Sequence, residues 1–383
     1  MAKFKLMIVC AYFSPRVGGM ETYVLSIIKL LIKKYDMDVV VVCSNWDDNY
    51  YKEEYVENIK VYRIQYLFKI SSTPINIFWT DKLSKIIDKE MPDVINGHLP
   101  VPYIADIASR IADKKNIPFI LTYHNDLTGY NFLIRTLAKC YYKFIGNKTF
   151  DISRKIIVTS QYYASSSSYI KKYADKLEIV SPGVDTEKYK IVENIFKDKH
   201  SILFVGQINK ENQHKGLDYL LDAIKIVNYS LPTVKLIIAG EGNYVEHYKM
   251  LIESMGLGNH VKFMGLIQNK ELVDCYNRSG VLVLPSYNRA EGFGMVLTEA
   301  QACGVPVIGT MIGGIPFAVK NGETGILVPP KDSKCLAKAI LKLLTNENLL
   351  KEMGQNGRKR VIEEFSWEKS ADKMFKIISD VRV

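Results

Sequence analysis

The chain has 383 residues, more than one compact core usually supports, so its length indicates two domains. Hydrophobic residues make up 48% of it and charged residues 24%, which excludes disordered and fibrous proteins. The net charge of +10 favours an anionic partner. Since no known nucleic-acid-binding motif accompanies that charge, we expect no nucleic acid among the partners.

The N-terminal region and the cysteines indicate a cytoplasmic protein. The apolar run from Leu6 to Phe13 leads into Ser14-Pro15-Arg16 without a small-residue cleavage site, so it predicts a buried strand and not a signal peptide. The six cysteines lie far apart and form no Cys-x-x-Cys pair, which is typical of reduced core thiols. No apolar stretch approaches the ~20 residues of a membrane span. Any membrane contact would therefore be peripheral.

Short β-branched runs alternate with amphipathic helical stretches, a pattern that predicts parallel sheets covered by helices. The strand candidates of the first half are Lys5–Cys10, Val39–Cys43, Val61–Ile64, Val94–Asn96, Phe119–Thr122 and Lys155–Thr159. Those of the second half are Ser201–Val205, Val234–Ala239, Val261–Met264, Val281–Leu284, Val305–Ile308 and Gly325–Val328.

The turn-forming segment Ser181-Pro182-Gly183 separates these two sets of strands. We therefore predict an α/β protein with two doubly wound, Rossmann-like domains, residues 1–182 and 183–365, and a late helix over 366–383 that crosses back to the first domain. Ligands of such sheets bind beyond the carboxyl ends of the strands. The expected pocket is the interdomain cleft.

The motif with the clearest chemistry runs from Glu291 to Glu299 and follows the strand Val281–Leu284. Its glycines, Gly292 and Gly294, precede a helix-prone segment, and backbone amides at such a helix start can bind a pyrophosphate. Glu291 in the loop can accept hydrogen bonds from sugar hydroxyls. Glu299, about two turns into the helix, could hold a ribose diol.

At this point the chain resembles glycosyltransferase family four, the retaining GT-B enzymes with two glutamates separated by seven residues. Further elements of the resemblance, which covers nearly the whole chain, are Gly18-Gly19-Met20-Glu21, Ser181–Asp185, Phe204-Val205-Gly206, Lys215-Gly216, Ala239–Gly242, Phe263-Met264-Gly265 and Gly313-Gly314. The family pattern assigns donor binding to Gly18, Gly19, Gln207, Lys215, Gly265, Ile267, Gly292, Phe293, Gly294, Met295, Val296, Leu297 and Glu299.

One donor-binding position departs from the family. Members usually carry an arginine and then a lysine that neutralise the pyrophosphate, whereas this chain has Gln207 and then Lys215. A glutamine supplies neither charge nor a bidentate fork. We therefore expect weaker donor binding, unless Lys210, Arg289 or a residue of the first domain compensates.

The resemblance also implies the catalytic residues and the mechanism. It places His124 near the transferred sugar, with Glu291 as the second catalytic residue; His98 ends a neighbouring strand and is a lesser candidate. Retention would follow from attack on the face that the leaving diphosphate departs from. Asp36-Met37-Asp38 has an Asp-x-Asp form but lies away from the expected cleft, so we expect no metal and no cofactor beyond a UDP- or GDP-linked sugar.

The expected acceptor is a glycan or a lipid-linked glycan of cell-surface polysaccharide or glycolipid synthesis. From Tyr130 to Lys155 basic residues alternate with aromatic ones, and such a stretch either lies on the inner face of an anionic membrane or is a solvated helix with an aromatic core-facing side. Two other functions remain open. A nucleotide-sugar epimerase would alter the donor without an acceptor, and Gln207 is the best support for a non-catalytic nucleotide-sugar-binding subunit.

Overall fold

The computed structural model describes residues 3–16, 18–47, 49–70, 73–128 and 132–382. The chain divides into two compact units. The first takes the residues up to Gly183 together with those from Trp367 onward, and the second takes Val184–Ser366.

The first unit is built on an eight-stranded sheet with the order β10-β9-β8-β7-β1-β2-β4-β3. Neighbouring strands are parallel except β3, which pairs antiparallel with β4 at the edge. A two-stranded hairpin, β5-β6, stands apart from this sheet. The strands are β1 (Lys5–Val9), β2 (Asp38–Ser44), β3 (Lys52–Val56), β4 (Ile59–Ile64), β5 (Phe68–Ile70), β6 (Thr73–Ile75), β7 (Val94–Leu99), β8 (Phe119–Tyr123), β9 (Lys155–Val158) and β10 (Leu177–Ile179).

The helices of the first unit cover the sheet, and one of them comes from the far end of the chain. They are α1 (Gly19–Tyr35), α2 (Trp79–Glu90), α3 (Ile104–Lys114), α4 (Phe132–Tyr141), a π-helical turn (Tyr142–Gly146), α5 (Asn147–Ile152), α6 (Gln161–Ser166), a 3₁₀ turn (Lys171–Lys176) and α14 (Trp367–Val381). The C-terminal α14 packs on α1, where the rings of Tyr35 and Phe375 stack with centroids 3.8 Å apart. The Tyr35 hydroxyl donates to Asp372 at 2.6 Å.

The second unit has a six-stranded, fully parallel sheet with the order β13-β12-β11-β14-β15-β16. Its strands are β11 (Asp198–Val205), β12 (Lys235–Ala239), β13 (Val261–Gly265), β14 (Ser279–Leu284), β15 (Val307–Thr310) and β16 (Gly325–Val328). Its helical segments are a 3₁₀ turn (Lys210–Lys215), α7 (Leu217–Ser230), α8 (Val245–Ser254), α9 (Asn269–Arg278), α10 (Met295–Ala302), α11 (Ile315–Ala318), α12 (Ser333–Leu344) and α13 (Glu347–Glu364).

Each large sheet reverses its direction of growth at one place. The chain builds outward from β1 through β2, then returns to the other side of β1 with β7; in the second unit β14 returns beside β11 in the same way. Such a reversal parts the loops that follow the two central strands and leaves a crevice for ligands at their carboxyl ends. Such crevices lie at β1/β7 in the first unit and at β11/β14 in the second.

The two doubly wound α/β units predicted from the sequence are confirmed, and every predicted strand is present, with the predicted ends at β16 and shifted ends elsewhere. The prediction missed β3, β10 and the β5-β6 hairpin. The sequence of β3, Lys-Glu-Glu-Tyr-Val, is half polar because β3 is an edge strand with one face in water. The strands β5, β6 and β10 have only three residues each. Such strands lack the apolar run that marks a buried parallel strand.

Candidate functional site

In the second unit, the reversal at β11/β14 brings together a lysine and a glutamate that lie far apart in sequence. Lys215 ends the 3₁₀ turn after β11, and Glu291 lies in the loop after β14. The Lys215 Nζ donates to Glu291 Oε2 at 3.0 Å. A backbone hydrogen bond from Tyr287 N to His214 O, at 2.8 Å, ties the two loops together. The structure therefore joins two of the predicted site residues directly.

Glu291 is a buried carboxylate that its partners keep ionised. It is 8% exposed, and the Ser286 hydroxyl also donates to Oε2, at 3.1 Å. Burial alone raises the pKa of Glu291, but the Lys215 ammonium and the two hydrogen bonds outweigh it and hold that pKa below its ordinary value. Glu291 is therefore an anion near neutral pH. Its charge is paired with Lys215, the lysine that follows Gln207 in the family's pattern.

The segment after Glu291 shapes a helix start that suits an anion. Gly294 has φ 82°, a left-handed conformation that glycine adopts without strain, and it turns the chain into α10. Phe293 is buried against the ring of Phe365, with centroids 5.7 Å apart, and this anchors the turn. Within the described part of the chain no side chain caps this helix, so the amides of Met295 and Val296, in its first turn, have no acceptor within it. Amides at such a start can bind phosphate oxygens.

A second glycine pair holds this turn from behind. A Cβ placed on Gly314 would lie 2.2 Å from the carbonyl oxygen of Gly292, so only glycine allows the loop after β15 to pack there. Leu297, the third residue of α10, is fully buried in the core beneath. The turn before α10 is thus fixed on both sides by close packing, which is how a site keeps its geometry before a ligand binds.

Glu299 is held by tyrosines that the sequence analysis did not select. The Tyr276 hydroxyl donates to Glu299 Oε2 at 2.7 Å, and the Tyr189 hydroxyl is a second donor to this carboxylate. Burial raises the pKa of Glu299, and the two hydroxyls and Lys188 only partly offset that rise. Both tyrosines lie among apolar core residues, and an aromatic residue in a buried segment gives no sequence signal of such a role.

The remaining predicted donor-binding residues of this unit lie at the carboxyl ends of its strands or just beyond. Gln207 is exposed two residues after β11, and its Oε1 accepts from Asn212 at 3.2 Å. Gly265 ends β13, and its carbonyl accepts from Gly240 N at 2.8 Å. Ile267 is half-buried against the core that contains Leu297. Gln207 is uncharged, so it cannot supply the charge of a cation.

In the first unit, the predicted glycines lie where α1 begins. Gly18 precedes the helix in an extended conformation and Gly19 is its first residue. The Gly18 carbonyl accepts from Thr22 N at 2.9 Å, which closes the first turn. Glu21, in the first turn, is buried and pairs with Arg16 at 3.5 Å. Val17, which directly precedes Gly18, lies outside the described residues.

The first unit also joins two histidines. His98, in β7, and His124, just after β8, are 2% and 8% exposed, and His98 Nδ1 lies 2.9 Å from His124 Nε2. Burial lowers the pKa of both rings, that of His124 to about 3. Two neutral imidazoles at hydrogen-bonding distance must share one proton between these nitrogens. His98, rated below His124 from the sequence, is thus its direct partner.

The surroundings of His98 fix which ring donates. Its Nε2 is buried and has no hydrogen-bond partner among the residues that the structure describes. A buried N–H without a partner is rarer than a buried acceptor without one. We therefore infer that His98 carries its proton on Nδ1 and donates to Nε2 of His124, whose own proton is then on Nδ1. A cavity of about 10 Å³ that His98 helps to line is far too small for a sugar.

The Asp-x-Asp segment of the first unit lies at the opposite end of the parallel strands from the two histidines. Asp36 caps α1 with φ 51°, and Asp38 begins β2 and pairs with Lys5 at 3.2 Å. Within the described ranges, no group of three or more His, Cys, Asp or Glu residues is arranged to hold a metal ion. These two acids therefore have structural explanations.

Comparisons with known proteins agree with this arrangement. The profile of the family "Glycosyl transferases group 1" matches residues 185–360, and that of "Glycosyltransferase Family 4" matches residues 17–188. An uncharacterized glycosyltransferase of Methanocaldococcus jannaschii is 30% identical over 99% of this chain and 100% of its own length. The O-antigen chain mannosyltransferase C of Escherichia coli is 28% identical over 83% and 82% of the two chains. The structure of Anabaena HepE in complex with UDP-glucose, 19% identical, superposes with a TM-score of 0.75 over 98% and 99%.

The fold is thus that of the GT-B class, with two Rossmann-like units, and the Glu291–Glu299 segment lies where such a sheet reverses. The chain belongs to glycosyltransferase family four, the glycosyl transferases of group 1. It is a glycosyltransferase.

Proposed function

We propose that the protein transfers a hexose-type sugar from a nucleoside diphosphate sugar, UDP- or GDP-linked, to a glycan or lipid-linked acceptor, with retention of anomeric configuration and without a metal. The observation that carries this proposal is the Lys215–Glu291 pair beside the uncapped start of α10. A cation and open amides suit a diphosphate, and a buried carboxylate beside them suits sugar hydroxyls.

The donor is proposed at the class level because the names of the similar proteins point to more than one donor sugar. HepE was solved with UDP-glucose, and the Escherichia coli relative is named a mannosyltransferase. In this chain, Met295 and Val296 amides and Lys215 would bind the diphosphate, and Glu299 would accept hydrogen bonds from the ribose. Since no arginine stands at Gln207, we expect the diphosphate to depend more on the helix amides than in relatives with the full pair.

The proposed mechanism is one of positioning and charge stabilisation. Glu291 would hold the sugar by its hydroxyls, and Lys215 would move from its ion pair toward the charge that develops on the leaving diphosphate. His124, neutral and fixed by His98, would donate a hydrogen bond from Nδ1 to the sugar. A diphosphate oxygen would take the acceptor's proton, so the protein needs neither a second carboxylate nor a metal ion.

The proposed acceptor belongs to cell-surface polysaccharide or glycolipid synthesis, and the proposed location is the cytoplasm, at the inner face of the membrane. The name of the O-antigen mannosyltransferase supports the first part. None of the helices in the described ranges has the length and apolar character to cross a bilayer. Access to a lipid-linked acceptor would then require a surface that binds the membrane from one side.

One incubation tests the proposal: purified protein with a panel of UDP- and GDP-sugars, with and without membrane extract, and with nucleotide release as the readout. We expect release from one donor, stimulated by extract, retained in EDTA, and giving an α-linked product from an α-linked donor by NMR. Conversion of the donor to its epimer without acceptor would identify the epimerase instead. Donor binding without release from any sugar would identify the non-catalytic subunit.

A further inference from the structure

A line of large apolar side chains is exposed on the segment that follows the His124 loop. Phe132, Leu133, Leu137 and Phe144 are 83%, 65%, 46% and 67% exposed; we call these four the apolar stripe. Leu133, Leu137 and Phe144 are spaced by four and seven residues, so they lie along one face of the helix formed by α4 and the π-helical turn. Contiguous apolar surface of this kind usually marks a binding surface.

The stripe stands on a rigid base, because the opposite side of the same segment is buried. Tyr141, Tyr142 and Phe150 are at most 9% exposed, and the Tyr141 hydroxyl donates to Asp106 of α3 at 3.1 Å. The aromatic residues of this segment therefore form two sets, one in the core and one in water. The sequence left two interpretations open, a stretch that lies on a membrane and a helix with an aromatic side facing the core, and each describes one of these sets.

Basic residues border the stripe, and acidic ones are absent from this part of the sequence. Arg135, Lys139 and Lys143 repeat every four residues on the adjoining strip of the helix, and Lys148 follows. Between Asp126 and Asp151 the sequence has no acidic residue. A partner for this surface must accept large apolar side chains and also carry negative charge.

We propose that the apolar stripe and its basic border lie on an anionic lipid bilayer, with Phe132, Leu133, Leu137 and Phe144 inserted among the headgroups. An amphipathic helix that binds a bilayer in this way has an apolar face with aromatic and leucine residues and a Lys/Arg-rich polar side. This surface would lie on the acceptor side of the proposed function. The proposal rests on that function only in assuming that the acceptor is lipid-linked. Binding itself can be measured without any sugar transfer.

The position of the stripe connects membrane contact with the predicted catalytic residue. The Tyr142 hydroxyl accepts a hydrogen bond from Leu127 N at 2.7 Å and shares a second hydrogen bond with the Tyr123 hydroxyl at 2.6 Å. Tyr123 ends β8 directly before His124, and Leu127 lies three residues after it in the loop. A bilayer that holds the stripe therefore also fixes the distance of that loop from the lipid surface, where a lipid-linked acceptor presents its glycan.

Vesicle sedimentation of the full chain tests the proposal. We expect binding to phosphatidylglycerol-containing vesicles, little binding to pure phosphatidylcholine, and a loss of affinity as salt is raised. Phe132→Ser with Phe144→Ser should weaken binding roughly a hundredfold, since each apolar side chain transferred from water contributes about tenfold or more. Phe196→Ser is the matched control, because Phe196, in the second unit, is 82% exposed.

The charge is tested with a second matched pair of variants. Lys139, Lys143 and Lys148 changed together to Gln should also weaken binding roughly a hundredfold, at about fivefold per lysine. The control, with Lys33, Lys85 and Lys114 changed to Gln, lowers the net charge equally, from +10 to +7, and should bind as the wild type does. Equal binding by both triples, or no binding of the wild type to either vesicle, overturns the proposal, as does concentration-dependent self-association that the Phe132/Phe144 variant abolishes. Nucleotide release without acceptor should be unchanged in these variants, so a failed transferase and a failed membrane surface give different results.

Discussion

Replacing Glu291 with Gln should tighten the binding of a free nucleoside diphosphate while slowing sugar transfer. The substitution preserves the side-chain size and an acceptor for Lys215 and Ser286, but it removes one negative charge 3.0 Å from the Lys215 ammonium. In the native protein this lysine is already neutralised before a diphosphate arrives. With Gln at this position the Lys215 charge is available to the ligand, whereas the proposed ionic acceptor for sugar hydroxyls is lost.

The structure sets the size of the effect. A phosphate oxygen on the far side of Lys215 would lie about 6 Å from the removed charge, since a charge-assisted hydrogen bond adds about 3 Å. At an effective dielectric constant of about 20, the repulsion over that distance is about 3 kcal/mol per unit charge. The Lys215 side chain is 21% exposed, so solvent screening reduces the gain to roughly 1–2 kcal/mol. UDP or GDP should therefore bind about fivefold to thirtyfold more tightly.

Isothermal titration of UDP and GDP into wild-type, Glu291→Gln, Ser286→Ala and Lys215→Met proteins measures this directly. Ser286→Ala removes a hydrogen bond from Glu291 without changing charge, so it should leave the dissociation constant within about twofold. Lys215→Met should weaken binding. Unchanged or weaker nucleotide binding by a folded Glu291→Gln variant would refute the view that the ion pair competes with the ligand, and a gain that persists in 1 M salt would show a cause other than charge.

Three further predictions concern the other buried groups. Glu299→Ala should raise the donor dissociation constant more than Glu291→Ala, which should mainly lower kcat; steady-state kinetics with titration calorimetry would show an equal loss of binding if these roles are wrong. Because the pKa of Glu299 is raised, nucleotide affinity should fall as pH drops through that pKa. Tyr276→Phe removes a hydroxyl that lowers the pKa of Glu299, so it should move the midpoint of this pH dependence to higher pH. An unmoved midpoint contradicts the role of the tyrosine. The lowered pKa values of His98 and His124 mean that the unfolded chain takes up protons first below about pH 6.5, so the free energy of unfolding should fall by about 2–3 kcal/mol between pH 7.5 and 5.5. His98→Gln should reduce this loss by about half in urea titrations, and an identical pH dependence in the variant would mean that His98 is protonated in the folded state.

The fold could be predicted from the sequence because parallel strands buried on both faces leave continuous apolar runs. Val39–Cys43 and Val281–Leu284 are examples, and both are strands of the structure. The helix start at Gly294 was also visible, because two glycines after a strand and before a helix have few other uses. The interdomain cleft and the assigned catalytic roles stay predictions.

The parts of the site that the sequence did not predict depend on long-range contacts. Tyr276 comes from α9 and reaches Glu299 of α10, and its sequence surroundings are those of an ordinary core tyrosine. His98 and His124 end neighbouring strands, but only the registered pairing of β7 with β8 shows that their rings meet. The periodicity of the sequence predicts only which face of a helix or strand a side chain occupies. Its contact partner depends on how distant segments pack together.

The return of α14 makes the second unit an insertion within the first. Gly183 and Trp367 are adjacent in space, since a Cβ on Gly183 would lie 2.4 Å from Trp367 N, and Val184 N donates to Phe365 O at 2.8 Å just beyond. The polypeptide therefore leaves the first unit and re-enters it at one point. Excision of residues 184–366 with a short glycine linker across that point would leave a continuous small protein, whereas simple truncation at Gly183 would strip Trp367, Met374 and Ile378 from its core. An exchange of the second unit between such enzymes would therefore need two cuts in the gene, and both would fall at the same place in the structure.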